Sequence, residues 1–209
     1  MKLLVADLDG TLIDAFAPIV YALNAVLVWL GKPPMRYEAV VRHTGLGSGS
    51  IKRLFGEREA EALARFYALH DLYPEPARAL PGAEALLACA RQLGMRVAVV
   101  TNKAQARAEA QLARVGLDRF VDAVLGLGST ARAKPAPDPV LAACARLQVP
   151  PSETIVVGDG LADMQAARAA GAGWAVGIAG AFTPQELYEA GADAVARDAR
   201  EVAAWLKAR

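Results

Sequence analysis

The stretch Lys2-Leu-Leu-Val-Ala-Asp-Leu-Asp-Gly-Thr11, near the start of the chain, decides the fold. Its first five residues form a short, almost wholly apolar run, and two carboxylates, Asp7 and Asp9, follow at once. A continuous apolar run of this length is typical of a strand that is buried on both faces of a parallel sheet. We therefore predict a buried first strand whose carboxyl end carries Asp7 and Asp9.

After residue 80, short apolar runs alternate with helical patterns. The predicted strands are residues 96–100, 122–125, 154–157 and 174–176, with 194–195 as an edge strand. The predicted helices are residues 83–93, 104–115, 138–147, 162–170, 184–190 and 198–207. This alternation favours an α/β fold, in which a doubly wound parallel sheet is covered by helices on both faces.

Residues 15–80 interrupt that alternation with an all-helical segment. Helices are predicted at residues 15–30, 37–42 and 50–72, with the glycine-rich run 45–49 between the last two. Asp14 is the expected N-cap of the first helix, and Gly31 with the prolines that follow it ends that helix. We predict a core domain of residues 1–14 and 81–209, into which a smaller helical domain, residues 15–80, is inserted.

Composition excludes several classes of protein. The chain of 209 residues is 55% hydrophobic and 22% charged, which excludes a disordered chain. Its 23 basic and 22 acidic residues leave a formal net charge of +1, which gives no electrostatic reason to bind nucleic acid. Cys89 and Cys144 lie far apart, without a CxxC spacing. We therefore expect neither a disulfide framework nor a zinc site, and a cytoplasmic location.

The most apolar run of the chain, residues 15–30, speaks against a membrane protein. It is shorter than the ~18–20 residues of a spanning helix, and Asn24 lies inside it. The first residues lack a basic region before a long apolar stretch, so we expect no signal peptide. A buried helix fits this run, and so does a helix that faces a partner, as in a homodimer, with Trp29 on the partner face.

Polar residues follow several of the predicted strands at the point where each strand ends. Because ligands bind beyond the carboxyl ends of the strands in doubly wound sheets, we expect these residues to meet at one edge. They are Asp7, Asp9, Thr101, Asn102, Asp159 and Asp163, together with Lys134 in a later loop.

Four of these side chains, Asp7, Asp9, Asp159 and Asp163, are carboxylates, and unpaired carboxylates at one edge repel each other. A hard divalent cation that is bound by oxygens relieves this repulsion, and Mg²⁺ commonly takes a phosphate oxygen of its substrate as a further ligand. We therefore predict that this edge of the sheet holds a hard divalent cation such as Mg²⁺.

Six short motifs carry a resemblance to a known family. They are Asp7-Leu-Asp-Gly-Thr-Leu12, Val100-Thr-Asn-Lys103, Lys134-Pro135, Gly158-Asp-Gly-Leu-Ala-Asp163, Ala169-Ala-Gly171 and Gly191-Ala-Asp193. On these motifs the chain resembles the haloacid dehalogenase (HAD) superfamily of phosphohydrolases, which implies a HAD-like, Rossmannoid core with an inserted helical cap. Within the superfamily it is most similar to phosphoglycolate phosphatases, on Asn24, residues 30–34, Tyr73-Pro74 and Thr101-Asn102-Lys103.

The resemblance implies a role for each carboxylate. Asp7 would be the nucleophile that forms an aspartyl-phosphate, and Asp9 would protonate the leaving oxygen and then activate water. This second aspartate speaks against the dehalogenase branch, whose carbon chemistry needs no such acid. Asp7, the Asp9 carbonyl and Asp159 would hold Mg²⁺, with Asp163 in support.

The resemblance also implies how the phosphoryl group is bound. Thr101, the backbone N–H of Asn102 and Lys134 would bind its oxygens and offset their charge. Gly10 would let the first loop approach the phosphate closely, and Thr11 would orient the aspartate that acts as acid and base.

Substrate choice is expected to lie in the inserted domain. The run 45–49 is either a flexible loop between helices or a loop that contacts the substrate. The resemblance favours the second interpretation, with Arg42, His43 and Arg53 as the selecting side chains. At Gly160 the chain departs from the resemblance, because many relatives have serine there.

An insert between the first two strands of the sheet must sit over the edge that carries the site. Its two connections, near residues 14–15 and 80–81, are expected to act as hinges that open for substrate and close to exclude water.

The favoured substrate is 2-phosphoglycolate. The alternatives are hydrolysis of pyrophosphate, a nucleotide or a sugar phosphate by a capped phosphatase and, less favoured, a catalytically idle relative that only binds a phosphorylated ligand. The intact set of Asp7, Asp9, Lys134 and Asp159 speaks against that idle relative.

Overall fold

The computed structural model describes residues 1–46, 48–73 and 77–208. Gly47 of the predicted glycine-rich run and Pro74 of the Tyr73-Pro74 pair lie outside the described residues. The strands are β1 (Leu3–Ala6), β2 (Ile13–Asp14), β3 (Arg78–Ala79), β4 (Arg96–Ala104), β5 (Ala123–Leu127), β6 (Thr154–Gly158), β7 (Trp174–Ile178) and β8 (Ala194–Ala196).

One parallel sheet contains six of these strands, in the order β5-β4-β1-β6-β7-β8. The strand β1 lies between β4 and β6, and all of Leu3–Ala6 is buried, as its apolar sequence predicts. Its side chains alternate between two apolar clusters, with Leu4 and Ala6 in one and Leu3 and Val5 in the other.

Helices cover both faces of the sheet. They are α1 (Phe16–Trp29), α2 (Tyr37–Gly45), α3 (Ser48–Phe55), α4 (Glu59–Asp71), α5 (Ala83–Gln92), α6 (Gln105–Arg114), α7 (Asp138–Leu147), α8 (Leu161–Ala170), α9 (Pro184–Ala190) and α10 (Ala199–Lys207). The helices α5, α6 and α10 pack into the first apolar cluster, and α7, α8 and α9 pack into the second. The predicted doubly wound α/β fold is therefore confirmed.

A third apolar cluster belongs to the helices α1 to α4, which lie between β2 and β3 in the chain. On α1, Ile19, Leu23, Val26 and Leu27 are buried in it, at the spacing of one helix face. None of the helices in the described ranges combines the length and the apolar character that a membrane span requires.

An antiparallel ribbon that the sequence does not predict joins this helical insert to the rest of the chain. In it, β2 pairs with β3 over two residues on each strand. Asp14 belongs to this ribbon and is not the N-cap of α1, a position that Ala15 takes. The prediction differs because strand pairing fixes the backbone of Asp14, although its carboxylate still accepts a 3.4 Å hydrogen bond from the Phe16 N–H.

The strand β4 runs to Ala104 and so passes its predicted end at Val100. Its pairing with β5 shifts register between Val100 and Ala104. The interruption covers Thr101, Asn102 and Lys103, and irregular pairing of this kind re-aims side chains at the end of a strand.

Candidate active site

Asp7 and Asp159 follow two neighbouring strands. The strands β1 and β6 pair so that Ala6 lies opposite Val157, and the Asp7 N–H donates a 2.9 Å hydrogen bond to the Val157 carbonyl. Both strands therefore end at the same level, and the two carboxylates come together there, as expected for the carboxyl ends of parallel strands.

Three carboxylates form an acidic cluster at this edge. Asp7, Asp159 and Asp163 each offer one oxygen, and these oxygens all lie within 4.8 Å of one another. Burial raises the pKa of Asp159 well above its usual value, and the charges of Asp7 and Asp163 raise it further. Burial also raises the pKa of Asp163 to about 6, although the Lys134 ammonium offsets part of that shift. Such a set of oxygen donors could hold a hard divalent cation.

Lys134 is bound to the acidic cluster. Its ammonium donates hydrogen bonds of 2.6 Å to Asp7 Oδ1, 2.6 Å to Asp163 Oδ1 and 2.7 Å to the Val100 carbonyl. Burial by itself would lower the pKa of this lysine, but the Asp163 and Asp7 carboxylates outweigh burial, so the pKa is raised. Lys134 is therefore charged at neutral pH.

Asn102 fixes the loop that carries Lys134. Its side-chain amide donates to the Lys134 carbonyl, and its amide oxygen accepts from the Lys134 N–H, both at 3.0 Å. The Asn102 side chain therefore fixes the backbone of this loop at Lys134. The neighbouring Thr101 is buried, and its hydroxyl oxygen accepts a 3.1 Å hydrogen bond from the Lys103 N–H.

The turn after β1 is shaped by Gly10 and Thr11. Gly10 has a φ of 89°, and a Cβ on it would lie 2.2 Å from Oδ2 of Asp159, so the turn requires glycine. The Thr11 hydroxyl donates a 2.9 Å hydrogen bond to Oδ1 of Asp159. The prediction that Thr11 orients Asp9 is therefore wrong, because the turn carries its hydroxyl to the end of β6 instead.

Asp9 does not share the acidic cluster, because Lys103 holds its carboxylate. The Lys103 ammonium lies 2.6 Å from Asp9 Oδ1 and 2.5 Å from Oε1 of Gln111 on α6. Burial raises the pKa of Asp9, and the Lys103 charge offsets part of that shift. Lys103 stands in a motif that the sequence singles out, but nothing in the local pattern pairs it with a carboxylate 94 positions away.

A cavity lies between this edge of the sheet and the helical insert. From the residues described above, the sheet side contributes the lining residues Asp7, Asp9, Thr101, Asn102, Lys103, Lys134, Asp159 and Asp163. The insert contributes an apolar wall, which is formed by Ile19, Ile51, Leu63 and Phe66. It also contributes the polar side chains of Lys52 and His70. Burial lowers the pKa of His70, and the nearby Lys103 charge lowers it further, so this ring is neutral at pH 7.

The three side chains predicted to select the substrate do not line this cavity. Arg42 instead donates a 2.6 Å hydrogen bond to Glu186 on α9, a helix that packs on the sheet. His43 is hydrogen-bonded to Ser50 at 2.7 Å, and Arg53 is exposed. The sequence predicts all three near the site, but α2 and α3 carry them on helix faces that do not line the cavity.

Two ion pairs hold the insert on the rest of the molecule. Arg107 of α6 donates to both carboxylate oxygens of Asp71 on α4, at 2.8 and 2.5 Å. Arg42 of α2 binds Glu186 of α9 at 2.6 Å. These pairs connect two helices of the insert with two helices that pack on the sheet.

A close backbone contact adds to these ion pairs. Gly45, the last residue of α2, lies against Gly160, which follows Asp159. A Cβ on Gly160 would lie 2.7 Å from the Gly45 carbonyl oxygen, and a Cβ on Gly45 would lie 3.2 Å from Cα of Gly160. The insert therefore touches the loop that carries part of the acidic cluster.

Comparison with known proteins identifies the family. Residues 1–171 match a family model described as haloacid dehalogenase-like hydrolase. The chain belongs to the haloacid dehalogenase-like hydrolase family. The phosphoglycolate phosphatase of Nitrosospira multiformis is 35% identical to this HAD-like hydrolase, over 93% of this chain and 91% of the relative. The "Phosphoglycolate phosphatase, plasmid" of Cupriavidus necator is 37% identical, over 79% and 75% of the two chains.

A solved structure gives the same result for the whole fold. The crystal structure of a hydrolase from Pseudomonas syringae covers 100% of this HAD-like hydrolase and 99% of its own chain, at 27% identity and a TM-score of 0.86. The predicted membership of the HAD superfamily and the likeness to phosphoglycolate phosphatases are confirmed. The chain is accordingly an enzyme of the phosphatase class.

Proposed function

We propose that this HAD-like phosphatase hydrolyses a small phosphorylated metabolite, with 2-phosphoglycolate as the favoured substrate, through an aspartyl-phosphate on Asp7. The observation that carries the proposal is the meeting of Asp7 with Lys134, Asp159 and Asp163 in the cavity between the sheet edge and the insert. The identity of 35% and 37% to phosphoglycolate phosphatases supports the choice of substrate.

Asp7 is the proposed nucleophile. One of its carboxylate oxygens attacks phosphorus, the bond between phosphorus and the leaving oxygen breaks, and an acyl phosphate forms on Asp7. Water then attacks the same phosphorus, so that the Asp7 carboxylate is regenerated and inorganic phosphate is released. The Lys134 ammonium, 2.6 Å from Asp7 Oδ1, orients the carboxylate before the attack.

Asp9 is the proposed acid and base. It gives a proton to the leaving oxygen as the bond to phosphorus breaks, and it takes a proton from the water that attacks the aspartyl-phosphate. Burial raises the pKa of Asp9, which favours the protonated form that the first step needs.

Mg²⁺ fits the acidic cluster, because closely spaced carboxylates of low exposure repel each other and a cation among them offsets that repulsion. Asp7, Asp159 and the Asp9 carbonyl would hold the ion, with Asp163 in support. When bound, the ion would offset negative charge on the phosphoryl oxygens. Thr11 would keep the Asp159 carboxylate in place through its 2.9 Å hydrogen bond.

Lys134, Thr101 and the backbone N–H of Asn102 are the proposed ligands of the phosphoryl oxygens. The raised pKa of Lys134 keeps its positive charge at the pH values at which enzymes work. The two hydrogen bonds between Asn102 and the backbone of Lys134 hold the lysine and the strand end in one arrangement, so little reorganisation is needed on binding.

The insert side of the cavity supports a small anionic leaving group. Lys52 lines the cavity and is paired with Glu59 at 3.2 Å, with both side chains 44% exposed. Because such an exposed pair contributes little, a substrate carboxylate can replace Glu59. A sugar would instead leave several hydroxyl groups against an apolar wall, which costs free energy when they find no partner. Glycolate, with two carbons and one carboxylate, suits this wall better.

Residues 15–80 are the proposed cap domain, and residues 1–14 with 81–209 the proposed core domain. The helices of the insert share an apolar cluster, and the ribbon of β2 and β3 carries both chain connections between the two parts. The predicted hinges, near residues 14–15 and 80–81, flank this ribbon.

The cytoplasm and a homodimer are the proposed setting of the enzyme. Cys89 and Cys144 are buried and free, which suits a reducing compartment. Tyr21 and Val28 are 49% and 60% exposed on α1 and would be covered by a second copy of the chain. Analytical ultracentrifugation tests the dimer, and a single species at the mass of one chain would contradict it.

Phosphate release from the purified protein tests the substrate. With Mg²⁺ present, kcat/KM for 2-phosphoglycolate should exceed the values for pyrophosphate, a nucleoside monophosphate and a hexose phosphate by about tenfold or more. The Asp7→Asn variant is the blank for every substrate. A higher kcat/KM for one of the other phosphates would make that compound the substrate in place of 2-phosphoglycolate. Tight binding without any turnover would support the alternative of a catalytically idle relative.

Removal of divalent ions tests the cofactor. A chelator should abolish phosphate release, because the acidic cluster would keep its unrelieved repulsion, and added Mg²⁺ should restore the activity. Full turnover in the presence of the chelator would contradict a metal at this site.

A further inference from the structure

Lys103 is a deeply placed cation that the proposed mechanism does not use. Its side chain is 6% exposed, and that of Asp9, its partner, is 15% exposed. The Lys103 ammonium donates to Asp9 Oδ1 at 2.6 Å and to Gln111 Oε1 at 2.5 Å. An ion pair at this depth is favourable only when its geometry is good and its remaining donors are bound, and Gln111 supplies such a second acceptor.

We propose that Lys103 is a positioning residue, which holds the Asp9 carboxyl group in the orientation for proton transfer, and that Gln111 in turn fixes Lys103. The inference rests on the proposed function, in which Asp9 is the acid and base. The three groups come from three separate parts of the fold, namely the loop after β1, the irregular end of β4 and the helix α6.

The contact decides which oxygen of Asp9 carries the proton. An ammonium group is only a donor, so Oδ1 must accept, and the proton of a neutral Asp9 resides on Oδ2. In the first step the bond from Oδ2 to hydrogen breaks, the leaving oxygen takes the proton, and its bond to phosphorus breaks. In the second step Oδ2 takes a proton from the attacking water. Without Lys103, the proton can reside on either oxygen and the carboxyl group can rotate.

The two lysines of the site serve different carboxylates. Lys134 binds Asp7 and Asp163, whereas Lys103 binds Asp9. Loss of Lys134 should therefore slow the attack on every phosphate ester. Loss of Lys103 should slow the release of the leaving group only where that group needs a proton.

Rapid-quench measurement of leaving-group release during the first turnover, at saturating substrate, tests this difference. The substrates are 2-phosphoglycolate, whose alkoxide needs protonation, and p-nitrophenyl phosphate, whose phenolate leaves without a proton. Lys103→Met should slow glycolate release by about 10²-fold and p-nitrophenolate release by less than about fivefold. Gln111→Leu should act in the same direction with a smaller factor.

Lys2→Met is the control, because it removes a lysine from an exposed ion pair, with Glu153 at 3.0 Å, that does not line the cavity. It should leave both release rates, and therefore their ratio, unaltered. A thermal melt of each variant establishes that it is folded, and if Lys103→Met does not fold, the ratio for Gln111→Leu decides the question.

The outcomes separate this inference from the function on which it rests. Asp9→Asn should show the same dependence on the leaving group, with a larger factor. If Asp9→Asn shows it and Lys103→Met loses the same factor on both substrates, the positioning role is overturned and the proposed function stands. If Asp9→Asn also loses one factor on both, the acid and base role of Asp9 fails, and the inference fails with it.

Discussion

Asp7 and Asp9 stand two residues apart, yet each is bound by a different lysine, Lys134 or Lys103. Asp7→Asn should abolish turnover on every substrate, because no acyl phosphate can form without the attacking carboxylate. Asp9→Asn should form the aspartyl-phosphate from an aryl phosphate faster than it hydrolyses it, since water then lacks its base. Rapid-quench kinetics should show a burst of p-nitrophenolate followed by turnover that is about 10²–10⁴-fold slower than in the wild type.

The control for this pair is the alkyl ester, on which Asp9→Asn should show no burst. Residual turnover in Asp7→Asn, or a burst that is absent on the aryl ester as well, would contradict the assigned roles of Asp7 and Asp9.

Gly10 allows a second test at a single residue. Gly10→Ala should destabilise the fold and weaken the metal site, because a Cβ there meets the Asp159 carboxylate at 2.2 Å. Gly171→Ala is the matched control, since Gly171 has a φ of 71° with nothing within 4 Å of an added Cβ. Both variants carry the left-handed backbone cost of about 1–2 kcal/mol, and only Gly10→Ala adds overpacking of about 1–3 kcal/mol. Urea unfolding measures the difference, and equal losses would show that the carboxylate moves aside freely.

Much of the site could be predicted from sequence, because its residues follow strand ends that the apolar pattern locates. Asp7, Asp159, Asp163 and Lys134 do come together. The partner of Lys103 could not be found in this way, because a long-range contact leaves no local pattern in the sequence. The direction of a side chain is also set by turns and helix register, which is why Thr11 reaches Asp159 and the predicted selectors miss the cavity.

The contact between α2 and α9 depends on the ion pair of Arg42 with Glu186. The hydrogen bond from Arg42, together with those from the N–H and hydroxyl of Thr183, lowers the pKa of Glu186 to about 2, below the usual value of 4.5. Because the pKa is lower in the folded protein, the stabilisation is present above the usual pKa and is lost only as the pH falls toward about 2. Hydrogen exchange in α2 should therefore show unchanged protection through neutral and mildly acidic pH, once the intrinsic pH dependence of exchange is corrected.

Arg42→Met should speed exchange in α2 by roughly two- to fivefold, since it removes an exposed ion pair. Arg168→Met, which breaks a comparable pair with Asp193 at 2.9 Å, is the control and should leave α2 unaffected. Arg42 is the better site for the change because Glu186 also accepts from Thr183 at the start of α9. Equal rates in both variants would mean that the pair does not hold the insert.

Elements with strong boundary signals were predictable, and elements without them were not. The helix α7 begins and ends as predicted, and α9 begins at a proline and ends before Gly191, as predicted. The ribbon of β2 and β3 has two residues in each strand, too few for any periodicity to appear. Its pairing also joins residues that are separated by the whole insert, so no turn signal lies between them.

The insert, residues 15–80, should move as one rigid body relative to the rest of the molecule. It has its own apolar cluster and is joined to the rest by the short ribbon, whereas the ion pairs that hold it are partly exposed. Crystal structures with and without a phosphate mimic should therefore differ by a rotation of residues 15–80 about the ribbon, with little change inside either part. An insert that is packed away from Asp7 in every structure would contradict this closure.

The contact between Gly45 and Gly160 has a consequence for the divergence of relatives. One glycine lies in the insert and the other in the loop beside the acidic cluster, yet neither can gain a Cβ without meeting the other backbone. A side chain at either position therefore needs the facing backbone to move, although the two glycines lie 115 positions apart in the chain. Exchange of inserts within the family should accordingly depend on direction. An insert from a relative with serine at the position of Gly160 leaves room for that side chain, so it should also pack on this core. This insert, placed on a core that carries such a serine, should be displaced, because the Cβ would meet the Gly45 carbonyl at 2.7 Å.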